Sequence, residues 1–166
     1  SLIKMQRLKT VLKAWPVITI VAMFLSFATK ELAYDIFGVT LQSQSSVKLV
    51  KMIAGFNMQF LKFAAAVLVF APVLEEFIFR YLFWKLPDPR RIWIAAIPSG
   101  ILFVAAHYLQ MPWPDNAFLA LFFFAIAQCW VYKTTGRLWC AILTHALFNA
   151  TNLILVLSLP EKYLVS

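Results

Sequence analysis

Two adjacent glutamates and an arginine lie inside an apolar run of the sequence, "APVLEEFIFR" (71–80). Glu76 and Arg80 are i, i+4 neighbours on one face of a helix, a spacing that favours a charge-assisted pair. Glu75 lies ~100° around the helix from Glu76, so it is poorly placed to share that bond. The spacing therefore predicts one paired glutamate and one that is available for chemistry. A structural ion network of all three residues is the alternative.

The composition shows that these charged residues lie in an unusually apolar chain. The chain has 166 residues, of which 63% are hydrophobic and 13% are charged, and its mean hydropathy is +0.81. Soluble domains are only about half apolar. We therefore predict an integral membrane protein that forms a single all-α domain over residues 1–166. Cys129 and Cys140 fall in different apolar stretches, so we expect buried thiols and no CxxC metal site.

Five apolar stretches have about the length that a ~30 Å hydrocarbon layer requires, although the first is short. They are residues 14–29, 56–83, 92–109, 117–132 and 138–159. Residues 43–55 place apolar side chains at helical spacing with lysines between them, which is typical of an interfacial helix. The predicted fold is a polytopic transmembrane helix bundle of about five spans with an interfacial amphipathic helix.

Basic residues cluster before the first span, between the second and third spans, and between the fourth and fifth. They are Lys4, Arg7, Lys9, Lys13, Lys85, Arg90, Arg91, Lys133 and Arg137. The positive-inside rule then places the N-terminus in the cytoplasm, with the lysines of the segment 30–55 as an exception. The net charge of +8 indicates topology and attraction to anionic lipid, and no nucleic-acid partner is expected. We expect a multi-pass protein of a bacterial or archaeal cell membrane.

Polar side chains also occur in the later spans, where burying an ionisable group costs at least ~2.5–3.5 kcal/mol. His107 lies in the third span, and His145, Asn149 and Asn152 lie in the fifth. The three residues of the fifth span are spaced i, i+4 and i+7, so they form one stripe on a helix. Such a stripe predicts the lining of a cavity, with polar helix packing as the alternative.

The depth of these groups decides whether they can meet. Counted from the basic ends of their spans at 1.5 Å per residue, Glu75 and His145 lie ~15 Å and ~12 Å deep. His107 lies ~24 Å deep if the third helix is unbroken, but ~14 Å deep if it begins near Pro98. Because "IPSG" (97–100) is typical of a helix start, we expect the membrane-inserted helix to begin there.

Three short patterns carry a family resemblance. "EEFIFR", "FVAAH" and "HALFN" resemble, in order, the EExxxR, FxxxH and HxxxN motifs of the CPBP (CAAX protease and bacteriocin-processing, Abi) intramembrane protease family. That family includes the type II CAAX prenyl endopeptidases and bacteriocin-processing or immunity proteins. The resemblance covers residues 57–158, with Tyr81 standing where the family often has glycine. Residues 1–56, the N-terminal span and the interfacial segment, lie outside it.

The resemblance implies hydrolysis of a peptide bond by an activated water. Glu75 would be the general base, and His107 would orient the same water. His145 and Asn149 would donate hydrogen bonds to the oxyanion of the tetrahedral intermediate. Physical chemistry is consistent with this division, because fixed donors in a low dielectric stabilise an oxyanion strongly. The substrate would be a peptide or a lipid-modified or membrane-anchored protein.

A metal-dependent version of the reaction stays open. Glu75, His107 and His145 could bind a zinc-like divalent metal and leave one position free for water. We favour a reaction without a metal or other cofactor, because Arg80 balances the charge of one glutamate. In both versions Glu76 and Arg80 would support the site without contacting the substrate.

Other functions fit the sequence less well. A proton-coupled transporter would keep glutamate and histidine at this depth, but the sequence has no repeat that predicts alternating access. A catalytically silent immunity or scaffold protein of the same fold would be expected to lose a motif residue, and none is missing. A Cys140 nucleophile would not face His145, which is five residues further along the same helix.

Overall fold

The computed structural model describes residues 1–41, 55, 57–82, 92–109 and 115–158. Every element in these ranges is helical, which confirms the predicted all-α class. The interfacial helix predicted over residues 43–55 lies outside the described residues apart from Gly55. Helices α1 (Leu2–Phe37), α5 (Phe118–Thr135) and α6 (Leu138–Ser158) are long and apolar enough to cross a membrane. The protein is therefore an integral membrane protein.

Helix α1 is longer than the predicted span 14–29. It runs for 36 residues through Pro16 and ends at Gly38, whose φ of 65° is easily adopted only by glycine. Lys30 consequently lies in this helix, not in the polar segment to which the sequence assigned it. The thickness of the membrane limits only the apolar part of a helix. A hydropathy window therefore cannot locate the polar ends of such a helix.

The stretch that carries the two glutamates is a composite helix over residues 58–82. It consists of α2 (Met58–Ala65), a π-helical segment (Ala66–Phe70), α3 (Ala71–Glu76) and a second π-helical segment (Phe77–Leu82). A π-helical turn contains one residue more than an α-helical turn, and such turns occur often at functional sites. Glu75 and Glu76 end the short α3 segment between the two π-helical segments.

Helix α4 (Ile92–His107) corrects one expectation, because it runs through Pro98 without a break. The Pro98 side chain is exposed, so its ring does not obstruct packing inside the bundle. Ser99 instead fixes the position of the helix. Its hydroxyl donates to the Phe79 carbonyl over 2.7 Å, which holds α4 against the composite helix.

The core lies where α1, α5 and α6 meet, and Phe103 of α4 contributes to it. Gly136, with a φ of 64°, ends α5, and α6 begins two residues later, so the two helices are antiparallel neighbours. Trp15 of α1 donates to Thr151 of α6 over 2.9 Å. The buried apolar residues of this core are Val11, Ala14, Ile18, Phe103, Phe124, Ala125, Val131 and Cys140. Both cysteines are buried and free, as the sequence predicted.

Candidate active site

The Glu76–Arg80 pair is fully buried. Arg80 Nε lies 3.1 Å from Glu76 Oε2, and neither side chain is exposed. The guanidinium also lies over the Phe103 ring, with its central carbon 5.2 Å from the ring centroid. The predicted pair is therefore present, and Phe103 of α4 covers it.

Glu75 is the open member of the motif. Its side chain is 26% exposed, and each of its carboxylate oxygens faces a histidine. His107 Nε2 lies 3.8 Å from Oε1, and His145 Nε2 lies 3.5 Å from Oε2. Three helices that are distant in sequence thus bring Glu75, His107 and His145 together. His107 faces Glu75 although α4 is unbroken from residue 92. A depth counted from the basic end of the span therefore does not decide whether His107 and Glu75 can meet.

The other ring nitrogen of each histidine already has a partner. His107 Nδ1 lies 2.8 Å from the Phe103 carbonyl, and His145 Nδ1 lies 2.8 Å from Glu76 Oε1. Because both partners only accept, each Nδ1 carries a hydrogen and donates it. A neutral ring then presents an unprotonated Nε2 to Glu75.

The Nε2 atoms of His145 and His107, which are acceptors in a neutral ring, face the Glu75 carboxylate across gaps of 3.5 Å and 3.8 Å. A hydrogen-bond donor placed between these nitrogens and the carboxylate removes the repulsion between their lone pairs. A water molecule provides two hydrogens, and gaps of this size allow it to contact both sides. The geometry suits an arrangement in which one water is held between a carboxylate and an imidazole.

Comparison with known families agrees with this geometry. A sequence model of the family described as "Type II CAAX prenyl endopeptidase Rce1-like" matches residues 57–151, more than half of the chain. The chain belongs to this family. The matched range contains all six predicted site residues and excludes α1. No curated protein and no solved structure matched the chain in the corresponding searches.

Membership of the Rce1-like CAAX endopeptidase family implies a membrane protease at the level of the family. It confirms the resemblance to CPBP proteases that the three sequence motifs indicated. The name of the family does not assign a role to any residue of this chain. Those roles depend on the geometry of the site.

Asn149 bonds to the composite helix as well as lying near His145. It lies one helical turn beyond His145 on α6, and its Nδ2 donates to the Val67 carbonyl over 2.7 Å. Val67 belongs to the first π-helical segment, two turns before Glu75 in the Rce1-like chain. Asn149 thus flanks His145 on the same face, with one amide hydrogen bonded to the composite helix.

Aromatic rings enclose the two histidines. The Phe103 ring centroid lies 4.5 Å from that of His107, and the Phe124 centroid lies 4.7 Å from that of His145. Phe79 meets Phe103 edge to face at 5.4 Å. These rings pack against both imidazoles and restrict their rotation.

Two supporting residues were given no role from the sequence. Gln128 of α5 is fully buried and donates to the Ala141 carbonyl over 2.7 Å, which joins α5 to α6 four residues before His145. Ser99 is also fully buried and sets the position of α4. Gln128 is polar within an apolar span, so it could have been proposed. Ser99 gave no such signal, because serine is common in membrane helices.

Proposed function

We propose that this protein is an intramembrane endopeptidase in which Glu75 and His107 activate a water molecule. The observation that carries the proposal is the half-buried Glu75 carboxylate, faced by an Nε2 atom of His107 and one of His145. Three helices that are separate in sequence supply these groups. A general base must lie within hydrogen-bond reach of its water, or one water away, and this spacing meets that requirement.

The proposed reaction adds one water across one peptide bond. Glu75 accepts a proton from the water, His107 Nε2 orients it, and the oxygen attacks the scissile carbonyl carbon. The resulting tetrahedral oxyanion collapses, the carbon–nitrogen bond breaks, and the proton passes from Glu75 to the departing amine nitrogen. The products are a new carboxyl terminus and a new amino terminus, and Glu75 is again ionised.

The oxyanion requires a donor, and His145 supplies one only when its Nε2 is protonated. Its Nδ1 hydrogen is already directed at Glu76, so donation from Nε2 requires an imidazolium. Asn149, one turn further along the same face of α6, is the second donor proposed for the oxyanion.

Metal chemistry is the second candidate for the same residues. One carboxylate and two imidazoles are a donor set that zinc accepts, and Nδ1 hydrogen bonds such as those of His107 and His145 commonly orient zinc ligands. We propose the metal-free reaction, because Arg80 balances the charge of Glu76 without a metal. Complete loss of cleavage with a chelator and its return with zinc would reverse this choice.

The family supports one substrate class. We propose a membrane-anchored protein with a prenylated C-terminus, as the family name describes, that reaches Glu75 from the membrane. A bacteriocin leader and the membrane-anchored tail of a sorted surface protein are the alternative substrates. A catalytically silent immunity or scaffold protein is the alternative function, and it predicts no cleavage of any of them.

Comparison of the membrane peptides in matched cells tests the proposal. One culture expresses the wild-type protein, a second expresses Glu75→Gln, and a third expresses Glu31→Gln as a control on the exposed side of α1. Mass spectrometry of new peptide termini should find the same cleavage products in the wild type and the control and none in Glu75→Gln. Identical termini in all three cultures at equal expression would contradict the proposal.

A further inference from the structure

The first π-helical segment leaves one backbone carbonyl in need of a donor. The Ala71 N–H bonds to the Ala66 carbonyl, five residues earlier, instead of the carbonyl four residues earlier. In the same register the Val67 carbonyl would accept from residue 72. That residue is Pro72, which has no N–H. A partly buried carbonyl that its own helix cannot pair favours a hydrogen bond from another element.

Asn149 supplies that hydrogen bond. Its Nδ2 lies 2.7 Å from the Val67 carbonyl oxygen, in a partly buried contact between α6 and the composite helix. An asparagine amide carries two N–H hydrogens in one plane, so fixing one of them also fixes the direction of the other. His145, one turn earlier on the same face of α6, contacts both glutamates.

We propose that Pro72 is a positioning residue that acts through Val67 and Asn149. By removing one backbone donor, Pro72 keeps the Val67 carbonyl free to hold one hydrogen of the Asn149 amide. The second hydrogen is then directed beside His145, where it can donate to the oxyanion. This inference rests on the proposed function, because an oriented donor matters only if the site forms an oxyanion.

Substitution of Pro72 by alanine tests this role. The new N–H at position 72 competes for the Val67 carbonyl and releases Asn149, so kcat should fall about 10- to 100-fold with little change in KM. Pro72→Val also restores the N–H and fills more of the buried space, in case the alanine variant packs poorly. Pro16→Ala in α1 is the matched control, since it also replaces a proline inside a helix, and it should leave kcat unchanged.

A double variant separates positioning from simple stability. In an Asn149→Ala background, Pro72→Ala should cause no further fall in kcat, because the group that it positions is absent. A purely structural role for Pro72 predicts the same fall in both backgrounds, together with a lower melting temperature. Equal falls in both backgrounds, or an unchanged kcat in folded Pro72→Ala and Pro72→Val, would overturn the inference.

Infrared spectroscopy tests the contact without requiring activity. With valine labelled by carbon-13 at its carbonyl, the wild type minus Asn149→Ala difference spectrum should show one band moving to higher frequency as its hydrogen bond is lost. Absence of that band would overturn the inference directly. If the band shifts while the wild-type protein cleaves no substrate, the contact stands and the proposed function fails.

Discussion

Removal of the Arg80 charge should destabilise the bundle strongly. In Arg80→Leu, the fully buried Glu76 carboxylate loses a partner at 3.1 Å and keeps His145 Nδ1 at 2.8 Å. Breaking a buried pair from one side typically costs about 3–5 kcal/mol. Because His145 can still donate, we expect a value near the lower limit, about 3 kcal/mol. For a chain of this length that corresponds to a fall in melting temperature on the order of 10 °C.

The assay is thermal unfolding of the purified protein in detergent, followed by tryptophan fluorescence. Lys62→Leu is the matched control, because it removes an exposed cation from the same composite helix and should change stability by less than about 0.5 kcal/mol. The double variant Glu76→Gln/Arg80→Leu removes both charges and should recover more than half of the loss. An unchanged melting temperature in Arg80→Leu, or no recovery in the double variant, would refute the reasoning.

Three further predictions concern the site. His145→Ala and Asn149→Ala should each lower turnover by on the order of 10²–10³, the usual loss for an oxyanion donor, with less effect on KM in a purified peptide-cleavage assay. Ser99→Ala should cost about 1 kcal/mol of stability and lower kcat, since it removes the bond that sets the position of His107; a kcat equal to the wild type would show that Ser99 only packs. A chelator should leave cleavage intact if the reaction uses no metal, and a loss reversed by zinc would assign the metal-dependent version.

The sequence predicted which side chains of the site meet better than the shape of its helices. The i, i+4 spacing was enough to pair Glu76 with Arg80, because both residues lie on one continuous helical stretch. The prediction that Glu75 lies near two histidines rested on their similar membrane depth and on the order of the three motifs. Side-chain tautomers could not be predicted, because they depend on the Phe103 carbonyl and the Glu76 carboxylate as acceptors.

The predicted start of the third helix at Pro98 was wrong, because proline permits two backbone geometries. Pro98 is compatible with both a helix start and a helix interior, and its apolar neighbours gave no reason to choose the interior. The π-helical segments on either side of α3 leave no trace in hydropathy, since they add one residue per turn without changing composition. The Asn149–Val67 bond follows from one of these segments, so spacing alone could not have found it.

Single-turnover cleavage by Glu75→Gln tests the central claim most directly. The purified wild type and variant, at equal concentration in lipid, are mixed with a farnesylated peptide that ends in a CAAX sequence, and release of the C-terminal tripeptide is measured. If Glu75 is the general base, the variant should bind the peptide and melt as the wild type does. Its cleavage rate should nevertheless be lower by on the order of 10²–10⁴. A variant that cleaves at the wild-type rate would contradict the account.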